Sequence, residues 1–147
     1  MESASSQLRR TSILDARNML PAPDTAFLSE RRVEYSVSSE GGMVCVVVPG
    51  WTLPSGYTLP EADLLVRLPM GYPDLPPDMW WFNPAVLRSD GREIPATQAT
   101  EYHLGRSWQR WSRHLRPEQW HSGVDGIGSF FTLIRQELVR CASPEVS

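Results

Sequence analysis

The stretch Trp111-Ser112-Arg113-His114, with Trp120 eight residues after Ser112, decides how this chain is interpreted. It lies downstream of a second compact stretch, Gly71-Tyr72-Pro73-Asp74-Leu75-Pro76-Pro77. The chain has 13 prolines, which favour ordered loops over a helical bundle because proline fixes φ and interrupts helices. Ser112 is a candidate nucleophile. Because a serine hydroxyl is only weakly nucleophilic, it would need a nearby base. His114 is the nearest candidate base in the sequence and His103 is the other.

Length and composition place the chain among ordinary globular domains. Its 147 residues are enough for one domain with a real core. Hydrophobic residues make up 41% and charged residues 21%, which is typical of such a domain. The net charge of −3 does not indicate a nucleic-acid partner.

Location and cofactors are predicted from what the sequence lacks. Its apolar runs are shorter than the ~18 residues that a membrane helix requires, so no membrane partner is expected. The polar residues 1–12 do not resemble a secretory signal, and the expected location is the cytoplasm. Two cysteines, Cys45 and Cys141, have no metal-binding spacing. We therefore expect no metal and no cofactor.

Hydrophobic periodicity predicts an α+β fold. Strands are predicted over 32–38, 43–48, 62–68 and 78–82, with a hairpin turn at Glu40-Gly41-Gly42. Together they should form a four-stranded antiparallel meander. Short helical segments are predicted over 11–19 and over 24–30, with Asp24 as the N-cap of the second. The C-terminal helix carries Ile127, Phe130, Phe131, Ile134 and Leu138 at helical spacing, with Ser122 or Asp125 as its cap. The domain is assigned to 13–141, between a mobile tail over 1–12 and a second tail over 142–147.

The order of these segments resembles the ubiquitin-conjugating (UBC-like) fold. More closely, the chain resembles a bacterial branch, the prokaryotic ubiquitin-conjugating-like family E. The matching segments are Leu20-Pro21-Ala22-Pro23-Asp24 with Phe27-Leu28, Leu68-Pro69-Met70-Gly71-Tyr72-Pro73-Asp74, Asp78-Met79, Gly105-Arg106, Gln109-Arg110-Trp111-Ser112-Arg113-His114, and Trp120-His121-Ser122-Gly123-Val124-Asp125. The whole ordered set is more specific than the proline-rich stretch alone.

The resemblance implies a function and partners. It implies a transferase that accepts a ubiquitin-like protein, possibly a tandem one, from a ubiquitin-activating-like enzyme in a bacterial conjugation pathway linked to anti-phage defence. In conjugating enzymes the catalytic cysteine stands eight residues before a tryptophan, and Ser112 has that position here. The resemblance thus implies an oxyester on Ser112 in place of a thioester. The candidate partner-binding residues lie in these segments or between two of them, and they are Arg110, Trp111, Arg113, Trp120, Tyr72, Pro76 and Pro77.

Departures from the family pattern leave alternatives open. The His-Pro-Asn motif of conjugating enzymes has no clean counterpart, and Leu104 stands at its expected place. Asp90 or Glu101 is a candidate to orient a histidine. The alternative function is a catalytically inactive binding module of the same fold that scaffolds the activating enzyme or the ubiquitin-like protein.

Two further expectations concern cysteine and tryptophan. Cys45 lies in an apolar strand and is predicted to be buried and inert, and Cys141 is predicted to follow the last helix. Trp80 and Trp81 are assigned to the core and the strand edge. Trp51 and Trp108 are the candidates for exposure at a partner surface.

Overall fold

The described part of the chain folds into six strands, two α-helices and a short 3₁₀ helix. The structure is a computed structural model that describes residues 19–142. Helix α1 (Ala22–Glu30) is followed by β1 (Ser36–Glu40), β2 (Met43–Thr52), β3 (Glu61–Leu68), β4 (Trp80–Asn83), β5 (Thr100–His103), β6 (Arg106–Trp111), a short 3₁₀ helix (Pro117–Gln119) and helix α2 (Ile127–Ala142). The strands form one antiparallel sheet in the order β1-β2-β3-β4-β6-β5. The predicted helix over 11–19 lies outside the described residues except for its last position. No helix within 19–142 is long and apolar enough to cross a membrane.

The α+β class and the antiparallel sheet with its two helices are confirmed, whereas the sheet has six strands instead of the predicted four. The hairpin β5–β6 supplies the extra strands, and it lies beyond the last predicted strand, 78–82. β2 lies inside the sheet, as its apolar composition predicted, and β1 is displaced from the predicted 32–38. The displacement arises because the amides of Arg31, Arg32 and Val33 bond to carbonyls of α1 and complete its C-terminal end.

The larger hydrophobic core lies between the sheet and α2. The predicted apolar stripe of α2 is fully buried there, from Ile127 to Leu138. Trp51 packs edge-on against Phe131 with ring centroids 4.9 Å apart, so its predicted exposure is wrong. The aromatic rings of this core hold α2 on one face of the sheet.

The opposite face of the sheet carries a second buried cluster, made of Cys45, Leu65, Trp81 and Trp108. Trp108 is 1% exposed, so the prediction that it lies at a partner surface is also wrong. It is buried because the tip of the β5–β6 hairpin reaches β1, the strand at the other edge of the sheet. The Leu104 amide donates to a Glu40 carboxylate oxygen at 2.8 Å, and His103 Nδ1 lies 3.3 Å from the other oxygen. The hairpin thus covers the face of the sheet that α2 leaves free.

Acid is expected to loosen this hairpin tip. The hydrogen bond from the Leu104 amide, together with His103 and Arg67, lowers the pKa of Glu40. A carboxylate with a lowered folded-state pKa stabilises the fold above its unfolded pKa, and this stabilisation is lost as the pH falls through the folded-state value. The protection of the Leu104 amide against hydrogen exchange, corrected for the intrinsic rate, should therefore decrease below about pH 4. The variant Glu40→Gln should show weaker protection without this acid dependence, and an unchanged acid dependence in it would contradict the assignment.

Asp24 has a different role from the one predicted. Helix α1 begins at Ala22, with Pro21 as its N-cap, so Asp24 lies in the first turn instead of capping it. Its buried carboxylate accepts hydrogen bonds from the Ile127 amide, at 3.1 Å, and from the Tyr72 hydroxyl. Asp24 therefore caps α2 from across the fold. The predicted caps have other partners, because Asp125 accepts from the His121 amide and Ser122 donates to Asp74.

Candidate active site around Ser112

Ser112 directly follows β6 and is half-buried. Its amide donates to the Ala96 carbonyl at 3.0 Å, which ties it to the long loop before β5. Its Oγ accepts a hydrogen bond from Arg110 Nε at 2.9 Å. The hydroxyl is thus held by a charged side chain of β6, two residues earlier in the chain.

Arg110 belongs to a chain of polar groups along the hairpin. Its Nη1 donates to Glu101 Oε2 at 2.8 Å, and Glu101 Oε1 lies 3.1 Å from His103 Nε2. Trp81 Nε1 donates to the same Glu101 oxygen at 2.8 Å. Burial alone would raise the pKa of Glu101, but the hydrogen bonds from His103, Trp81 and Arg110 outweigh it and lower this pKa. Of the two candidates to orient a histidine, Glu101 contacts His103. Asp90 instead pairs with Arg88 at 2.6 Å.

The two candidate bases lie in different places. His103 lies opposite Arg106 in the β5–β6 register, at the far end of the hairpin. Glu101 and Arg110 lie between His103 and Ser112. His114 is in the loop beyond Ser112, with its side chain 64% exposed. Within residues 19–142, no hydrogen bond joins either imidazole to the Ser112 hydroxyl.

Asp78 is a site residue that the sequence analysis missed. One of its carboxylate oxygens lies 2.6 Å from His114 Nδ1, a geometry that orients the ring. Within residues 19–142, Nε2 of the same ring forms no hydrogen bond. An imidazole held in this way by a carboxylate is the usual arrangement of a general base. In the sequence, Asp78 stands directly after Pro76-Pro77 and within the matching segment Asp78-Met79, but neither observation relates it to a histidine.

The proline-rich loop, residues 71–79, packs against the segment that follows Ser112. The Trp120 indole donates to the Pro73 carbonyl at 2.8 Å, and the rings of Tyr72 and Trp120 are 6.2 Å apart. The Met79 amide donates to the Arg113 carbonyl at 3.1 Å. Pro77 is buried and Pro76 is half-buried. The loop thus holds both ends of the segment from Arg113 to Trp120.

Two of the predicted partner-binding residues face inward. Trp111 is fully buried, and Trp120 is nearly so. Arg113 points toward α2, where it pairs with Glu137 and also donates to the Pro95 carbonyl at 2.9 Å. These three side chains shape the loop around Ser112.

A cavity of about 200 Å³ opens beside His114. It lies between the loop after Ser112 and α2, and its charged walls come from Arg113 and Glu137. Burial would raise the pKa of Glu137, but hydrogen bonds from Arg140 and Arg113 lower it, so the carboxylate stays ionised. The cavity is therefore polar on one side and lined by Trp80, Phe130 and Leu133 on the other.

Neither of the chain's two thiols is accessible. Cys45 is 0% exposed, as predicted, and burial raises its pKa. Cys141 is 1% exposed in the last turn of α2, so the prediction that it follows the helix is wrong. A thioester on either sulfur would require the core to open.

This chain has the organisation of a ubiquitin-conjugating-like protein. It combines an antiparallel sheet and two helices with a loop site that is held by the proline-rich loop. The family model of prokaryotic E2 family E matches residues 20–141, and the chain belongs to this family. Membership supports a UBC-like fold and a ubiquitin-conjugating-like role, which involves a ubiquitin-like protein and an activating enzyme. No curated protein and no solved structure matches the chain significantly.

Proposed function

We propose that this protein is an acyl transferase that accepts a ubiquitin-like protein from an activating enzyme as an oxyester on Ser112. The observation that carries the proposal is the hydrogen bond from Arg110 Nε to Ser112 Oγ at 2.9 Å, at the position eight residues before Trp120. The burial of both cysteines supports it as well, since no thiol is available to compete.

The proposed step is an acyl exchange. Ser112 Oγ attacks the activated C-terminal carbonyl carbon of the ubiquitin-like protein, a C–O bond forms, and the bond to the activating enzyme's leaving group breaks. The serine proton passes to a base and then to the leaving group, so atoms and charge balance. An oxyester is less reactive toward amines than a thioester, and the onward transfer therefore needs more assistance.

The test is incubation with the ubiquitin-like protein and activating enzyme of the same pathway and ATP. The expected product is a covalent adduct, found by intact mass, that survives thiol reductants and is cleaved by hydroxylamine. Peptide mapping should locate it on Ser112. An unmutated protein that never forms the adduct, or forms it on another residue, would refute the proposal.

We propose His114 as the base and Asp78 as the residue that orients it, because Asp78 holds Nδ1 and no group in the described part of the chain bonds to Nε2. His114→Asn and Asp78→Asn are expected to slow adduct formation, His114→Asn by roughly 10²–10⁴-fold, because general-base catalysis contributes this much. Rates are measured at a saturating concentration of the activating enzyme. His121→Asn is the matched control, since His121 is also exposed and also lies near a carboxylate, that of Asp125 at 3.4 Å. Equal rates in His114→Asn and His121→Asn would exclude His114 as the base.

A catalytically inactive binding module is the second candidate. The observation that favours it is that the Ser112 hydroxyl bonds to a guanidinium and, among residues 19–142, to no imidazole. A module of this kind would bind the activating enzyme or the ubiquitin-like protein with equal affinity in the unmutated protein and in Ser112→Ala. Binding in both proteins without any adduct would favour this candidate.

A further inference from the structure

We propose that Arg110 is a catalytic residue, which stabilises negative charge on Ser112 Oγ during acyl transfer and is held in place by Glu101. This inference rests on the proposed oxyester function. It assigns Arg110 a role at the reacting oxygen, whereas the sequence analysis assigned it to partner binding.

The geometry separates the two edges of the guanidinium. Nε donates to Ser112 Oγ at 2.9 Å, while Nη1 donates to Glu101 Oε2 at 2.8 Å. Glu101 is itself fixed through its other oxygen by Trp81 Nε1 and His103 Nε2. A side chain anchored at a second point loses less conformational freedom when it stabilises a charge, which is the basis of electrostatic preorganisation. Arg110 is anchored in this way before any substrate arrives.

The chemistry requires such a group at this place. When the serine proton leaves, the oxygen becomes anionic, and a hydrogen bond from a guanidinium favours the anion over the neutral hydroxyl. Because Arg110 donates to Oγ, it leaves the hydroxyl proton free for a base. Leu104, at the expected place of the asparagine in the His-Pro-Asn motif of conjugating enzymes, has no side-chain donor. Among residues 19–142, Arg110 is the positively charged side chain that donates to the reacting oxygen.

The other charges near Ser112 are arranged in pairs. On the side of α2, Arg113 pairs with Glu137, and its Nη1 lies 3.3 Å from the Ser112 carbonyl oxygen. In the following loop, His114 pairs with Asp78. Arg110 itself pairs with Glu101, but it is the charged group that contacts Oγ directly. A change at Arg110 should therefore dominate the electrostatic response of an acid placed at position 112.

The test converts Ser112 into a titratable probe. In Ser112→Cys, the rate of alkylation by iodoacetamide is measured against pH, and the modified peptide is identified by mass spectrometry. An ordinary thiol titrates at about 8.5, and Arg110 is expected to move the midpoint below this value. Adding Arg110→Gln should raise the midpoint by about one pH unit. The buried Cys45 and Cys141 are distinguished by their own peptides.

Arg106→Gln is the matched control. Arg106 lies on the same strand and pairs with Asp63 at 2.9 Å, but it has no contact with Ser112. It should leave the midpoint unchanged, and thermal unfolding verifies that each variant is folded. An identical midpoint with and without Arg110→Gln, or an equal shift in Arg106→Gln, would overturn the inference. If Arg110→Gln does not fold, Arg110→Lys keeps a charge without the two-point anchoring, and an unchanged midpoint there would overturn the role of the anchored guanidinium.

Adduct formation supplies the second readout. With Ser112 intact, Arg110→Gln should lower the rate on the order of 10²-fold at saturating activating enzyme, with an unchanged half-saturating concentration. The alkylation experiment needs no partner protein, so the two failures are distinguishable. A missing midpoint shift with normal adduct formation overturns the role of Arg110 alone. A clear midpoint shift without any adduct supports the electrostatic effect and overturns the oxyester function.

Discussion

Ser112→Ala is expected to abolish the covalent adduct with the ubiquitin-like protein while non-covalent binding to the activating enzyme persists. The alanine removes the attacking oxygen, and neither thiol can take its place, because both are buried. Intact mass after reaction with the activating enzyme and ATP measures the adduct, and a binding assay with the same enzyme measures the affinity. The expected change is complete loss of the first signal with little change in the second.

Two variants serve as controls for this result. Ser107→Ala removes an exposed hydroxyl from β6, the strand that Ser112 directly follows, and should leave the adduct unchanged. The double change Cys45→Ala and Cys141→Ser should also retain it, although Cys45→Ala removes packing worth roughly 1 kcal/mol. An adduct that persists in Ser112→Ala, or that disappears in a folded double-cysteine variant, would refute the oxyester and direct attention to another nucleophile.

The second large effect is expected from Asp24→Ala, which should destabilise the fold by roughly 2–5 kcal/mol. The change leaves the Ile127 amide and the Tyr72 hydroxyl without their common acceptor in a buried place. Burial and the Asp24 carboxylate both raise the pKa of Tyr72, which favours the protonated hydroxyl that donates to Asp24. Denaturant unfolding measures the loss as a lower midpoint with an unchanged slope.

Comparison with related variants isolates the cause. Tyr72→Phe removes only one donor and should cost less than Asp24→Ala. Asp74→Ala is the matched control, because Asp74 lies in the same proline-rich loop as Tyr72 but is exposed. Substitutions at exposed positions usually change the free energy of unfolding by no more than about 0.5 kcal/mol. If Asp24→Ala and Asp74→Ala were equally stable, the cross-fold cap on α2 would contribute little.

Local patterns in the sequence predicted the parts of the fold that depend on neighbouring residues. The apolar run that became β2 and the helical spacing from Ile127 to Leu138 were sufficient because each element buries a face that its own sequence marks. The hairpin β5–β6 was missed for the opposite reason. Its residues, among them Glu101, His103 and Arg106, are polar, and they form strands only because Trp108 packs on the far face of the sheet.

Partners across the fold explain the remaining differences. Asp24 looked like the cap of the helix that contains it, since capping rules use sequence distance, but its carboxylate is buried against α2. Trp51 and Trp108 were predicted to be exposed, but both are buried. The exposure of a large aromatic side chain depends on what folds over it, and the local sequence does not show this.

The sequence by itself determined the class of protein, the position of a serine eight residues before Trp120 and the absence of a competing cysteine motif, because these follow from residue identity and spacing. Only the tertiary structure decided what surrounds that serine. Arg110 reaches Oγ because β6 ends there, Glu101 reaches Arg110 because β5 pairs beside it, and Asp78 reaches His114 because the proline-rich loop ends against the same segment. Electrostatic partners are set by distance in space. The partners in these contacts are between two and 36 residues apart in the chain.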